Sequence, residues 1–276
     1  MRRILIRVAY DGTGFFGSQI QRSLPTVESI LADAVEELTG ENVRVHGASR
    51  TDAGVHALGA VFCFDTESRI PGEKFALALN TKLLPMTRVV ESREVAKDFN
   101  PRHGVLDKTY EYHIDDGFIE LPTKRMYSTH VKHRLDIERM NEAAKYIIGE
   151  HDFTSFCSTD TDQENHVRTI YDLHVRANRD DDPLSHIADA DPESERRIAA
   201  LTLHRSDNRD VIISVTGSGF LYNMVRIIAG TLVSVGEGKI APDLIPAIIE
   251  AKDRRKAGPT LPAKGLFLVD VRYEQV

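Results

Sequence analysis

Gly47-Ala48-Ser49-Arg50-Thr51-Asp52-Ala53-Gly54-Val55-His56-Ala57 is the stretch on which the reading of this 276-residue chain turns. Two strand-like runs flank it, Val43 to Ala48 before and Val61 to Phe64 after, the second built of β-branched and aromatic residues. Between them stand an arginine, a hydroxyl, a carboxylate, a glycine and a histidine, too polar a set for a core strand. Polar groups on a short loop between two rigid strands are where binding and catalysis concentrate. Gly54 can take a positive φ or a close backbone approach, either of which aims Asp52 away from the sheet. The residues alone leave a second reading open, a turn closed by an Arg50–Asp52 surface ion pair of little energetic worth.

Working outward, Ile4, Ile6 and Val8 alternate with Arg3, Leu5 and Arg7 and predict a largely buried strand. Gly12 to Gly17 then spells G-x-G-x-x-G, but the next helix is capped by Thr26, eight residues beyond Ser18. A dinucleotide site needs its pyrophosphate on a helix N-terminus directly after the glycines, so that function is set aside. Val27, Ile30, Leu31, Ala34, Val35 and Leu38 share one face of a helix ending at Gly40. Pro71 opens a second helix carrying Phe75, Leu79 and Leu83, and Arg88 to Val95 reads as a strand. This β-α-β-β-α-β order predicts a ferredoxin-like unit with both helices on one face of a largely antiparallel sheet.

The second half repeats the plan with longer loops. Tyr110, Tyr112 and Ile114 alternate along a strand, and a helix from Asp136 turns Ile137, Met140, Ala144 and Ile147 inward. Val167 to Val175, Ala199 to Leu203 and Val211 to Val215 read as strands. Phe220 to Val235 is a very apolar helix interrupted only by Asn223 and Arg226, Asp243 to Lys252 is another helix, and Leu266 to Tyr273 is the closing strand. The expected class is α+β: two ferredoxin-like (RRM-like) domains, residues 1–105 and 106–276. The division falls near Phe99 to Asp107, and the antiparallel sheets join into one platform with a central catalytic cleft. An acidic insertion near 178–197, with Pro183 and Pro192 and few large apolar groups, reads as solvated.

An apolar content of 41% is enough for a real core and excludes a disordered chain. Cys63 and Cys157 stand far apart with no Cys-x-x-Cys, which argues against both a disulfide framework and a cysteine zinc site. The first residues run straight into a strand, with no apolar segment long enough for a signal peptide or a span, so a cytoplasmic protein is expected. The net charge of −7 argues against nucleic acid only as an average over faces. Much of the acid sits in the insertion, while basic residues gather at Arg102-His103, Lys108, Lys124-Arg125 and Lys132-His133-Arg134. That distribution allows a basic groove for phosphates.

Several further steps recur in a fixed order: Tyr10-Asp11-Gly12, Thr26-Val27-Glu28, Asn80 to Pro85 with Leu84-Pro85, and Phe99-Asn100-Pro101-Arg102. Lys108-Thr109-Tyr110-Glu111-Tyr112, Phe153-Thr154-Ser155-Phe156, Phe220 to Gly230 and Pro262-Ala263-Lys264-Gly265-Leu266-Phe267-Leu268 complete the set. With Arg50-Thr51-Asp52-Ala53-Gly54-Val55-His56-Ala57 they resemble the TruA family of tRNA pseudouridine synthases over nearly the whole length. One departure is Ser18, where the family often carries an aromatic residue.

The resemblance implies isomerisation of uridine to pseudouridine in the anticodon stem-loop of tRNA, in a homodimer. The reaction breaks N1–C1′, turns the base, joins C5 to C1′ and removes the C5 proton. It moves no net electrons, so it requires no cofactor and no metal. Asp52 is implied as the carboxylate that attacks the base or captures C1′, as in glycoside cleavage. Arg226, in the family's Met-Val-Arg on an apolar helix, is implied as its ion-pair partner. Arg50 is implied to hold the space left by the flipped base, Tyr110 to stack on that base with its hydroxyl near C5, and Leu266 to wall the uracil pocket. Strand periodicity places Tyr110 and Tyr112 on one face and does not choose between them. His56 reads as a hydrogen-bonding support of the loop. Two rivals remain: an RNA-binding module, which needs a basic rim but no acid in a cleft, and a hydrolase, which needs a water-activating base or a metal cluster.

Overall fold

The apolar alternation at the start of the chain forms β1 (Arg2–Tyr10). It is flanked by β3 (His56–Thr66) and β4 (Thr87–Val95), both antiparallel to it, with Ile4 opposite Phe64 and Val8 opposite Val89. Leu5 and Cys63 are as buried as Ile4 and Phe64, so β1 and β3 are covered on both faces. The computed structural model describes residues 1–159, 163–178 and 209–274. By contact these fall into two units. The first is Met1–Glu111 with Thr216–Gly219 and Leu266–Val276, and the second is Tyr112–Val215 with Phe220–Gly265.

In the first unit α1 (Val27–Thr39) starts at Thr26, whose side chain accepts from the Ser29 N–H while the Ser29 side chain accepts from the Thr26 N–H, a reciprocal cap. It buries Val27, Leu31, Ala34 and Val35. The second helix is shorter than the sequence predicts. A 3₁₀ turn at Gly72–Lys74 leads into α2 (Phe75–Leu79). The Asn80 side chain both donates to the Val89 carbonyl and accepts from the Val89 N–H, each at 2.8 Å, which fixes the end of the helix on β4.

The strand expected from Val43 to Ala48 is reduced to β2 (His46–Gly47), pairing only with Cys63 and Phe62. The edge of β3 also accepts β10 (Leu266–Tyr273), Phe267 opposite His56, in parallel. The expectation of antiparallel sheets is corrected here. About two hundred residues separate β10 from β3, so no hairpin dictates their direction. Within this unit the strands run β4-β1-β3-β10, followed by the Val105–Glu111 part of β5 (Val105–Asp116).

In the second unit, Ile114–Asp116 of β5 pairs in parallel with β6 (Thr129–Val131), a second departure from the antiparallel expectation. α3 (Ile137–Ala144) is capped by Asp136, whose side chain accepts from the Arg139 N–H. β7 (Gly149–Asp152) pairs antiparallel with β8 (Val167–Asn178), and β9 (Arg209–Gly217) lies between β8 and β5. α4 (Met224–Gly236) begins later than predicted, because Asn223 takes φ +60° and breaks any helix reaching it from Phe220. Every residue of α4 except Arg226 is buried. A 3₁₀ turn at Pro242–Leu244 precedes α5 (Ile245–Glu250), where Pro246 sits in the first turn and forfeits no helical bond. The acidic insertion from 179 onward and the strand expected from Ala199 to Leu203 lie outside the described residues.

Candidate active site

β3 begins at His56, two residues after Gly54, so the signature segment is a short loop running from β2 to Val55. Its hinge is Thr51, buried and held at all three of its polar groups. The Thr51 N–H donates to Ser18 Oγ at 2.9 Å, and the Thr51 carbonyl accepts from the Ser18 N–H at 3.0 Å. The Thr51 hydroxyl meets the Tyr10 hydroxyl at 2.8 Å. This contact requires Gly17, whose φ is +91° and whose missing Cβ would stand 2.8 Å from the Thr51 carbonyl oxygen. The serine that departs from the family pattern is therefore a buried backbone clamp.

Immediately after Thr51 the chain turns. The Val55 N–H donates to the Asp52 carbonyl at 3.2 Å, and Gly54 takes φ +79°, the first of the two roles open to it. Asp52 is half-buried and Arg50 is exposed. A carboxylate on a backbone held this firmly is pre-positioned, which is what a reacting group requires.

His56 is a loop support. It is buried, stacks on Phe267 with ring centroids 4.6 Å apart, and accepts at Nδ1 from the Gly12 N–H at 3.0 Å. The same nitrogen lies 3.3 Å from Asp11 Oδ1. Glu28, in the first turn of α1, is turned inward instead of toward solvent. Its carboxylate accepts from the Gly47 N–H at 3.2 Å and from the Ile20 N–H at 3.0 Å. The sequence marks Ser18 as a departure and Glu28 as part of a motif, but it gives neither side chain its partner, because serine in a loop and glutamate in a first turn are ordinary.

Tyr110 and Tyr112, which periodicity could not separate, have different surroundings. The Tyr112 hydroxyl is engaged by Thr129 at 2.6 Å and donates to the Pro262 carbonyl at 2.7 Å, so it is a satisfied core phenol of the second unit. Tyr110 lies against the signature loop. Burial first, then the charges of Tyr10 and Asp52, push its pKa above the usual phenol range, with the Ser49 hydroxyl nearby opposing them. At neutral pH Tyr110 is therefore a neutral hydroxyl within the field of Asp52. Such a group accepts a proton only while passing on its own.

Leu266, at the start of β10, is buried in the first unit. Arg226, in the second unit, is half-buried, not wholly buried as its apolar helix suggests. Its Nε donates to the Leu261 carbonyl and its Nη1 to Asn223 Oδ1, both at 2.6 Å. Among the described residues no group of three or more His, Cys, Asp or Glu side chains is arranged to hold a metal ion. No described helix is long and apolar enough to cross a membrane.

A family profile described as tRNA pseudouridine synthase matches residues 6–102 and 143–274. The chain is 41% identical over 273 residues to "tRNA pseudouridine synthase A" of Caldicellulosiruptor saccharolyticus, covering 99% of this chain and all of that protein. Proteins of the same name from Acetivibrio thermocellus and Brevibacillus brevis are 42% and 41% identical over 273 residues, with the same coverage.

Proposed function

The chain belongs to the tRNA pseudouridine synthase family, and from that premise we propose that it isomerises uridines of the anticodon stem-loop, just 3′ of the anticodon, with Asp52 as the catalytic carboxylate. The observation that carries this reading is the Thr51 clamp, which holds the backbone of Asp52 rigidly next to a buried neutral phenol. Asp52 attacks the base or captures C1′ when N1–C1′ breaks, and after the base turns, C5 joins C1′. The Tyr110 ring stacks on the extruded uracil, and its hydroxyl relays the C5 proton outward. Arg50, exposed beside Asp52, holds the vacated space in the stem, and Leu266 walls the uracil. Arg226 pairs with Asp52, a role supported by the family resemblance. No cofactor enters the scheme, because the atoms and electrons balance within the uridine.

The first unit supports a ferredoxin-like reading through its order β4-β1-β3 with the short β2 on the far edge of β3. Two such domains, 1–105 and 106–276, forming one platform with a central cleft, follow from the family resemblance, as do a homodimer and a cytoplasmic location. The test uses tRNA whose uridines carry tritium at C5. Wild-type protein should release tritium in step with pseudouridine formed, while Asp52→Ala should release none yet bind tRNA within a few-fold, since phosphate contacts dominate affinity. Turnover by Asp52→Ala near wild type would overturn the mechanism. A pure binder or a phosphodiester hydrolase would release no tritium.

A further inference from the structure

Building on that reading of tRNA as substrate, we infer that Arg102 and Lys108 form a phosphate clamp at the base of the signature loop, gripping one phosphodiester beside the extruded uridine. Arg102 Nε donates to the Gly47 carbonyl at 3.2 Å, and Lys108 Nζ donates to the Ala48 carbonyl at 3.4 Å. Lys108 and Tyr110 are two apart on β5 and share a face. Arg102 meets the segment at Gly47 and Lys108 meets it at Ala48, so two consecutive carbonyls are each held by one of these cations, while Tyr110 lies within the field of Asp52.

The electrostatics of the pair are those of a site built for an anion. Burial first, and then the charge of Arg102, pull the Lys108 pKa down. Two acids adjoining this corner are already committed. Asp107, on the opposite face of the strand, is bound by Arg272, and Glu28 is held by the Gly47 and Ile20 N–H groups. Among the described residues Arg102 spends only Nε on an acceptor, which leaves its two terminal nitrogens for a fork onto phosphate oxygens. Two like charges held this way, one half-buried, cost free energy unless an anion lies against both. Arg102 is exposed and Lys108 half-buried, so a strand in solvent reaches the first directly.

Glutamine separates this role from mere stapling of the loop, because it keeps a donor for the carbonyl and removes the charge. For Arg102→Gln and Lys108→Gln, the slope of log affinity for tRNA against log salt should fall by about 0.7–0.9 each. Arg102→Lys and Lys108→Arg should keep it. A set of anticodon stem-loops, each with one neutral methylphosphonate, completes the test. One position should weaken binding several-fold in wild type and have no further effect in Arg102→Gln. Unchanged salt slopes in the glutamine variants, or methylphosphonate losses that add fully to theirs, would overturn the clamp. Arg102 is exposed, so Arg102→Gln carries the test if Lys108→Gln does not fold. The same substrates report pseudouridine separately: phosphate coupling without pseudouridine formation would spare the clamp and reject the proposed function, and the converse would do the reverse.

Discussion

Replacing Thr51 by valine removes one hydroxyl from the clamp beneath Asp52 and changes the side-chain shape little. In the folded protein Thr51 is 7% exposed and Tyr10 5%, and their hydroxyls meet at 2.8 Å, so water does not reach the Tyr10 hydroxyl once its partner is gone. Stranding a buried polar group of this kind costs about 1–3 kcal/mol. Tyr10→Phe strands the Thr51 hydroxyl in turn, at a cost in the same range. The double variant Tyr10→Phe/Thr51→Val strands nothing and should lie within about 1 kcal/mol of wild type, well short of the sum of the singles. Activity should behave differently. All three variants lose one of the three tethers on Thr51, and displacement of a reacting group by about 1 Å costs up to 10²-fold. Urea unfolding midpoints should therefore recover in the double variant while tritium release stays depressed. If the double variant's loss of stability equals the sum of the singles, the hydroxyls do not depend on one another. If it recovers full activity, the Tyr10 tether does not position Asp52.

Three further outcomes can be checked. Tyr110→Phe keeps the ring and removes the relay, so it should bind tRNA and slow tritium release by about 10²–10⁴-fold; a rate within a few-fold of wild type would leave Tyr110 as a stacking platform only. Arg226→Ala should cost about 1.5–3 kcal/mol from its bonds to the Leu261 carbonyl and Asn223, together with most activity, and an unchanged melting temperature would argue against those bonds. The Asp152 carboxyl is held at about 2, first by its bond to Lys252, then by Thr154. Because the folded value is depressed, its stabilising effect is complete above about pH 4 and is lost as pH falls through about 2. The pair is partly exposed, so Asp152→Asn should only modestly flatten the acid limb of melting temperature against pH between those values, and an identical limb would reject the assignment.

The interior of the first unit was legible because its signals are local. Ile4, Ile6 and Val8 alternate as a buried strand does, Thr26 caps a helix whose apolar face follows at once, and Gly54 allows a left-handed turn just after Asp52. Where an element depends on a distant partner, periodicity misleads. Val43 to Ala48 has strand composition, yet only His46 and Gly47 pair, and part of that edge of β3 is taken by β10, some two hundred residues later. Phe220 to Asn223 has helical composition, yet Asn223 turns left-handed and α4 starts after it.

For the site, the sequence by itself marked the loop and the family to which the chain belongs. An arginine, a carboxylate and a histidine in one short polar run are rare enough to mark a loop, and the ordered motifs around them identify a family. Only the tertiary structure decided what holds that loop. Ser18, Gly17 and Tyr10 converge on Thr51, Glu28 turns inward to Gly47, and Arg102 and Lys108 meet consecutive carbonyls. It also separated Tyr110, against the loop, from Tyr112, bonded to Thr129 and Pro262. The physical reason is the range of the forces involved. Backbone propensity and side-chain alternation act over a few neighbours and can be read in order. A buried hydrogen bond joins groups that the chain brings together only after it has folded, and residue type at either end does not reveal the other.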